Sequence, residues 1–280
     1  MAFLYTRPPL TQGISSFVLV LGGIGLMATP AVADSWSHIT ATVPEWVLVV
    51  VVPLLVHHVL FWGMAAAFHL VDKYDAPNFI ARYRIQSGKV RRPPLRRSLR
   101  NLAINQLILS PLMMFLMWQA LLLRGWTLTP ELPGPLTVLG QLAALGACAA
   151  IWFYASHRFL HRPWWMKKVH RVHHEFRTTT AMASEYAHPF EFVAANFITL
   201  AGGVVLLAPS APVIYLWELI AVHTVIAHHS GYAVPWMSWA VHHDWHHYRY
   251  KECFGTTGVL DRLLGTDPEF SRLEHGQEVK

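Results

Sequence analysis

Histidines at metal-ligand spacing are concentrated in the second half of this sequence. Two runs carry them, with His157, His161, His170, His173 and His174 in the first and His242, His243, His246 and His247 in the second. Spacings of three and four residues put imidazoles on one face of a helix, a turn apart. A single buried histidine is usually a hydrogen-bonded core residue, but here each of many imidazoles would need its own partner. The pattern therefore predicts a metal site.

Further histidines stand between the two runs, namely His188 before a proline and the pair His228 and His229. Eight or more imidazoles exceed the about four ligands that one zinc ion takes, so two metal ions sharing the set is the economical interpretation. Iron and zinc both accept imidazole, and the ligands alone do not choose between them. Acidic residues beside the histidines either orient the ring N–H groups or are solvated or capping carboxylates; they are Glu175, Glu185, Glu191 and Asp244.

Two familiar metalloenzyme patterns do not fit. His174 and Glu175 begin a motif like that of zinc proteases, but Thr178 occupies the position of its second histidine. Soluble carboxylate di-iron bundles use Glu-x-x-His pairs on their helices, and the apolar segments contain none. Two cysteines, Cys148 and Cys253, are too few for a disulfide framework, and Cys253 is a weak ligand candidate without a partner cysteine. A protease and a ferritin-like bundle are therefore poor fits.

The composition is that of an integral membrane protein. Of the 280 residues, 54% are hydrophobic and 14% are charged, whereas soluble domains carry about 25% charged residues. The mean hydropathy is +0.33. The formal net charge is +6, but the basic residues cluster beside apolar runs, which favours topology control and lipid headgroups over nucleic acid as their role. The length suits one membrane domain rather than several soluble ones.

Apolar runs long enough to cross a membrane alternate with polar loops. They cover residues 45–71, 101–123, 136–156, 192–208 and 212–227, each near the about 20 residues that a spanning helix needs. Pro53 and Pro111 are expected to kink the first two. His57 and His58, within the first run, are predicted to serve packing or headgroup contact. An earlier run at 14–29 is either a cleaved signal peptide or an anchor, and we favour the anchor because a multi-span protein can insert without cleavage.

The strongly basic loop at 72–100 faces the cytoplasm by the positive-inside rule. Two crossings return residues 157–174 to that side, and a helical hairpin at 192–227 returns the last histidines there as well. The histidine clusters are therefore predicted to converge on one cytoplasmic site. The predicted fold is an all-α, polytopic membrane bundle with a cytoplasmic histidine-rich di-metal domain. Its parts are membrane anchor segments at 1–71, a domain at 72–267 that contains the histidine clusters, and a polar tail at 268–280.

The histidine pattern resembles that of the fatty acid hydroxylase superfamily of membrane oxygenases. One His-x-x-x-His run and two His-x-x-His-His runs carry the resemblance, which covers roughly residues 72–267. Several segments look most like the C-4 methylsterol oxidases; they are 73–86, 184–189, 229–232 with 235–236, and 260–266. The connection at 233–241 is shorter than that resemblance leads us to expect, which implies a different lid over the substrate pocket.

The resemblance implies a non-haem di-iron centre that activates O₂ and hydroxylates an unactivated C–H bond, such as a methyl, of a sterol-like or terpenoid lipid. It assigns ligand roles to His157, His161, His170, His173, His174, His229, His243, His246 and His247, with His188 a further ligand or a partner of one; His228 and His242 are their doubled neighbours. It implies two iron ions, which zinc can replace in purified samples, O₂, and electrons from NAD(P)H through cytochrome b5 or a reductase. The partners would be a membrane lipid and that redox protein, in the endoplasmic reticulum membrane, with no nucleic acid.

Three alternatives stay open at this point. The same metal site would serve a fatty-acyl hydroxylase or a desaturase. A metal transporter would line a pathway with histidines, but most histidines here lie outside the predicted spans and on one side. An inactive relative that only binds sterol is disfavoured by the intact ligand set.

Overall fold

The fold of the protein, obtained as a computed structural model, is described for residues 11–87, 91–238 and 240–277, which contain helices and no β-strand. In chain order the main helices are α1 (Ile14–Met27), α2 (Pro30–Thr42), α3 (Val47–Tyr74), α4 (Leu95–Leu123), α5 (Pro135–Leu160), α6 (Pro189–Leu207), α7 (Ala211–His229), α8 (Ala240–Arg249), α9 (Val259–Leu264) and α10 (Pro268–Glu274). Shorter helical segments cover Asn78–Ala81, Pro163–Trp165, Met166–His170, His173–Glu175 and Ala181–Ser184. Five of the main helices, α3 to α7, are long and apolar enough to cross a membrane. This confirms the prediction of an all-α membrane bundle.

The N-terminal apolar run forms α1, which packs against α7. Gly23 makes that contact close, because a Cβ at this position would lie 2.8 Å from methyl carbons of Leu216. The chain then turns by 79° into α2, so the pair is either one broken span or a re-entrant hairpin. The start of α1 is also tied to a distant loop, since the Ser15 amide donates to the Trp236 carbonyl. The predicted anchor role suits this packing, and its retention in the mature protein stays a prediction.

The two prolines predicted to kink the spans lie just after wide helical turns. The π-helical turn Val47–Val51 precedes Pro53, and the turn Asn105–Leu109 precedes Pro111. Proline lacks the amide hydrogen and its ring crowds the carbonyl one turn earlier. A π turn opens the backbone at that place, so each span continues as one helix through its proline.

The spans bury small and branched apolar side chains between them. Val49, Leu121, Val138, Leu145 and Val213 meet in one core cluster, and each is at most 1% exposed. The outward faces of the same helices are equally apolar, with large hydrophobic side chains left exposed in a belt that includes Val59, Leu107, Leu123, Leu136 and Ile151. An exposed apolar surface of this kind is suited to lipid rather than water.

Three connecting segments, at 75–94, 161–188 and 230–277, contact one another where α3, α5 and α7 end and α4 and α6 begin. The side-chain amide of Gln86 donates to the Asp244 carboxylate over 2.7 Å, and the Arg92 guanidinium donates to the carbonyls of Thr178 and Thr179. The histidine runs therefore come together at one end of the bundle, as predicted. That this end faces the cytoplasm stays a prediction.

Two predicted domain boundaries lie at packed helical segments, and the domain division itself stays a prediction. Residue 71 lies inside α3, which continues to Tyr74 and packs along α7. The predicted polar tail contains α10, and its Phe270 is 1% exposed and stacks edge-on against His242. The amide of Glu269 also donates to the Glu252 carboxylate. One buried aromatic side chain and this bond hold a segment whose composition looks polar.

Candidate metal centre

Nine of the ten histidines predicted as ligands gather in two groups, and within each group the candidate ligand atoms all lie within 4.8 Å of one another. The five-histidine group is His157, His161, His170, His174 and His246, and the four-histidine group is His173, His229, His243 and His247. They come from the ends of α5 and α7, from the segment between α5 and α6, and from α8. Only His161 is half-buried; the other eight are buried.

Each His-x-x-His-His run contributes to both groups. In the first run, the middle histidine, His173, belongs to the four-histidine group, while the outer two belong to the five-histidine group. In the second run, His246 joins the five-histidine group, while His243 and His247 join the other. The histidines four residues apart therefore share a group, as a common helix face predicts, whereas the histidine at i+3 joins the other group. Adjacent residues of a helix point about 100° apart, so a run placed between two centres serves both.

The ring nitrogens in the five-histidine group face one another at short range. The Nε2 atoms of His161, His170, His174 and His246 lie 2.9–3.3 Å from their neighbours. In the four-histidine group, Nε2 of His243 lies 2.8 Å from that of His229 and 3.2 Å from that of His247. Nitrogens bound about 2.0–2.1 Å from one ion are separated by roughly 2.8–3.4 Å for bond angles between 90° and tetrahedral. These separations fit one metal ion in each group.

The protonation pattern of the rings also favours a cation. Four Nδ1 atoms face backbone carbonyls, which can only accept: His157 to Phe254 at 2.8 Å, His246 to Glu252 at 2.7 Å, His173 to Tyr186 at 3.1 Å and His229 to Val225 at 2.8 Å. A neutral imidazole has one N–H, so the Nε2 of each of these rings carries a lone pair. Lone pairs converging in a buried space are costly unless a cation lies between them. The donor set therefore fits two imidazole-bound metal ions.

A carboxylate orients one histidine of the five-histidine group. Nδ1 of His170 lies 2.6 Å from Oε1 of Glu191, with side chains 1% and 3% exposed. Burial lowers the pKa of His170 to about 3 and that of His173 to about 4. Both rings are therefore neutral at physiological pH, which is the form that binds a metal.

The two groups are neighbours. The ring centroids of His174 and His247 are 4.8 Å apart, and those of His157 and His243 are 5.9 Å apart. Because these four rings form a shared wall, two ions held by the two groups would lie side by side. The arrangement is that of one dinuclear centre rather than two distant sites.

Segments singled out by the family resemblance form the frame that supports α8. The Ile85 amide donates to Gly231, and the Ala233 amide donates to the Tyr83 carbonyl. Asp72 closes this frame, since its carboxylate accepts from Arg84 at 2.9 Å, from Arg92 at 2.6 Å and from the Tyr232 hydroxyl at 2.7 Å. The short connection at 233–241 is thus anchored at its start, a few residues before the second histidine run.

The other predicted site residues lie outside the two groups. His188 caps the start of α6 by accepting the Phe190 amide at 3.2 Å, although it is near enough to Glu191 to interact with it electrostatically. His228 and His242 are buried but belong to neither group. Cys253 is also buried outside both groups, and burial raises the pKa of its thiol strongly, so it does not resemble a metal-bound thiolate.

Of the four acidic residues, Glu191 alone contacts a histidine of the two groups among the described residues. Glu175 instead accepts from the Tyr186 hydroxyl and from Arg97. Asp244 accepts from Gln86 and Thr179. Both carboxylates thus stabilise the loops around the centre.

His57, which was predicted to serve packing or headgroup contact, instead contacts two carboxylates. His57, in α3, contacts Glu185 at 2.7 Å and Glu218 at 2.8 Å. Glu218 was not singled out in the sequence, because a lone carboxylate in an apolar run gives no hint of its partner. An acidic residue inside a membrane span is nevertheless a signal for a functional site.

Comparisons with known proteins agree with this geometry. The family model described as fatty acid hydroxylase matches residues 142–266, which include both histidine groups. "Fatty acid hydroxylase domain-containing protein 2" of Homo sapiens is 34% identical over 245 residues, covering 85% of this chain and 73% of the human protein. "Fatty acid hydroxylase ahd1" of Mycosarcoma maydis is 32% identical over 234 residues, covering 82% of this chain and 58% of the fungal protein.

A more distant relative carries the sterol name. "Methylsterol monooxygenase 2-2" of Arabidopsis thaliana is 26% identical over 255 residues, covering 87% of this chain and 94% of the plant protein. No solved structure matches the chain. Both histidine groups lie inside the region that the family model matches, and the human relative is 34% identical over 85% of this chain. The chain therefore belongs to the fatty acid hydroxylase family of membrane oxygenases.

Proposed function

We propose that this protein is a di-iron monooxygenase that hydroxylates an unactivated C–H bond, in the first instance a methyl, of a sterol-like or terpenoid lipid. One observation supports this proposal above all others. A cavity of about 260 Å³ between the membrane spans extends to His229 and His243 of the four-histidine group. A lipid lying in this cavity would therefore present a carbon to the metal centre.

The cavity wall suits a lipid. Apolar side chains from α3 to α7 form most of it, including Pro53, Met114, Phe153, Phe197 and Trp217. Ligand sites are typically concave and largely apolar, with a few polar groups that fix orientation. The position of the cavity among the spans allows a substrate to enter from the bilayer rather than from water.

Different residues of the chain would serve metal binding, ring orientation and lipid binding in such a reaction. The two histidine groups would hold two iron ions, whose chemistry when bound is the reductive activation of O₂ for attack on a C–H bond. Backbone carbonyls and Glu191 fix the tautomers of the rings, so that Nε2 lone pairs stay directed inward. The apolar wall excludes water and holds the lipid. Electrons would come from cytochrome b5 or an NAD(P)H-dependent reductase, at a cytoplasmic face of the endoplasmic reticulum.

The sterol-like substrate rests on the motifs shared with methylsterol oxidases and on the name of the Arabidopsis relative. A second candidate, a fatty-acyl hydroxylase, is supported by the higher identity of the human and fungal relatives, whose names contain that activity. A desaturase would use the same site. A metal transporter is disfavoured, because the histidines form two closed and buried groups rather than a row along the bundle.

The test uses the full chain, purified in detergent and loaded with iron. It is incubated with ¹⁸O₂, a reducing system and matched panels of sterols and fatty-acyl lipids, and mass spectrometry detects the products. We expect two iron ions per chain and one ¹⁸O atom in a lipid product. His243→Ala should abolish the labelled product, whereas His275→Ala, which changes an exposed histidine, should leave it. Folded protein that binds no metal, or that binds iron and labels no lipid in either panel, would refute the proposal.

A further inference from the structure

Three ionisable side chains that belong to neither histidine group meet at the cavity between the membrane spans. His57 of α3 lies between two carboxylates, with Nε2 2.7 Å from Oε1 of Glu185 and Nδ1 2.8 Å from Oε1 of Glu218 on α7. The side-chain amide of Gln106, on α4, donates to the other oxygen of Glu185 over 2.7 Å. We call His57, Glu185 and Glu218 the acidic triad.

The acidic triad belongs to the wall of the substrate cavity. All three of its residues line the cavity that reaches His229 and His243. Glu218 lies eleven residues before His229 on α7, a distance of roughly 16 Å along a helix with a rise of 1.5 Å per residue. Glu218 and His229 therefore occupy different levels of one cavity. Ionisable side chains at such a depth are costly in lipid and usually serve a function.

The hydrogen bonds of the triad leave one acceptor open. Of the four carboxylate oxygens, Oε2 of Glu185 accepts from Gln106, Oε1 of Glu218 is hydrogen-bonded to Nδ1 of His57, and Oε1 of Glu185 lies 2.7 Å from Nε2 of His57. Oε2 of Glu218 has no donor among the described residues, and the side chain is 17% exposed. Since Glu218 lines the cavity, a molecule in the cavity can reach it. An ionised carboxylate only accepts hydrogen bonds, so it selects a ligand that donates one.

Charge narrows the class of ligand further. Burial acts to raise the pKa of Glu185, but the charge and hydrogen bonds of His57, together with Gln106, bring the pKa below its ordinary value. Two carboxylates then share one imidazole, and a lipid ending in a carboxylate would meet like charge. A neutral lipid with a hydroxyl group would not, and its O–H would donate to Glu218.

We propose that the acidic triad is the subsite that binds the hydroxyl group of a neutral lipid alcohol while the metal centre oxidises another carbon of the same molecule. This inference rests on the proposed function and refines it, because it favours sterols and long-chain alcohols over free fatty acids. Sterols and long-chain alcohols both carry such a hydroxyl group, so both are used as probes.

A purely structural role makes a different prediction. Polar side chains also join helices inside membranes, and His57 does connect α3 to α7. A connecting role would alter the stability of the bundle equally for every bound lipid. A recognition role alters the preference between lipids that differ only in the hydroxyl group.

The experiment measures binding to the iron-loaded full chain without turnover. The alcohol probes are radiolabelled cholesterol and hexadecanol. Each has a partner probe that lacks the alcohol O–H, namely cholest-4-en-3-one for cholesterol and palmitate for hexadecanol. Glu218→Gln keeps the shape of the side chain and removes its charge. Glu45→Gln is the matched control, because Glu45 accepts from Trp118 and does not line the cavity. Melting temperature and iron content are measured for each variant.

We expect the wild-type protein to bind an alcohol at least tenfold more tightly than its partner probe, and Glu218→Gln to lose about tenfold of the alcohol affinity. The affinity for the ketone and the behaviour of Glu45→Gln should not change. Equal binding of alcohol and partner by the wild type, or an unchanged preference in Glu218→Gln at a lower melting temperature, overturns the inference. If Glu218→Gln does not fold, the wild-type preference between each alcohol and its partner probe still decides the inference. If the wild-type protein shows no alcohol preference but incorporates ¹⁸O into a lipid, this inference fails and the proposed function stands.

Discussion

Replacing Glu191 tests whether the carboxylate beside His170 controls iron binding. Its Oε1 lies 2.6 Å from Nδ1 of His170, and both side chains are almost fully buried. A hydrogen bond to a charged group contributes about 1.5–3 kcal/mol, and 1.4 kcal/mol corresponds to a factor of ten in an equilibrium constant. Loss of this bond should therefore weaken iron binding at the five-histidine group by about 10–100-fold, the range usual for partners of metal ligands.

Two substitutions separate charge from hydrogen bonding. Glu191→Gln keeps an oxygen that can accept from His170, so we expect a loss near tenfold. Glu191→Leu removes the acceptor, so we expect a loss near 100-fold. The assay is competition with a chelator of known iron affinity, followed by metal analysis, with melting temperature as the check on folding.

Glu175→Gln provides the matched control. Glu175 follows His173 and His174 directly in the sequence, but its carboxylate accepts from Tyr186 and Arg97 rather than from a histidine. Iron affinity should be close to that of the wild type in this variant. Wild-type iron affinity in Glu191→Leu, or an equal loss in Glu175→Gln, would show that the orienting contact has no such role.

Three further predictions follow from the same geometry. His246→Ala should lower iron content and abolish lipid oxidation, whereas His188→Ala, outside both groups, should retain both; metal analysis and product assays compare them. Asp72→Asn weakens three hydrogen bonds and should cost about 1.5–3 kcal/mol of stability, read as a lower melting temperature with iron retained. Gly231→Ala should destabilise the protein by about 1–3 kcal/mol, because φ is +82° and a Cβ would lie 2.9 Å from the Thr179 carbonyl; an unchanged melting temperature contradicts this reasoning.

Hydropathy located the spans well, because a helix in lipid must satisfy its backbone and expose apolar side chains. The predicted run at 45–71 corresponds to Val47–Tyr74, and the run at 212–227 to Ala211–His229. The largest difference is at 101–123, where the helix already begins at Leu95. By composition the basic residues Arg96, Arg97 and Arg100 lie outside the apolar run, but in the structure they belong to the first turns of the same helix.

Ligand spacing identified eight of the nine histidines that the structure gathers, because their pattern is local and repeated, and the family resemblance added His229. The acidic triad could not be identified in the same way. His57 is separated from its partners by 128 and 161 residues, and no local pattern connects them. Only the packing of α3 beside α7 brings an imidazole in one span against a carboxylate in another. Contacts of this kind depend on tertiary structure and are absent from any periodicity of the chain.

Wide helical turns explain why α-helical spacing alone misplaces the side chains around the centre. The π turn Met166–His170 ends at a candidate ligand, and Phe192–Phe197 begins directly after Glu191. The turn Asn105–Leu109 contains Gln106, which contacts the acidic triad. One extra residue in a turn rotates the rest of a helix by about 100°, so polar side chains can point inward from helices whose other residues face lipid. Such turns are frequent at functional sites, and here they lie at Gln106, which contacts the acidic triad, at His170 of the five-histidine group, and directly after Glu191, which contacts His170.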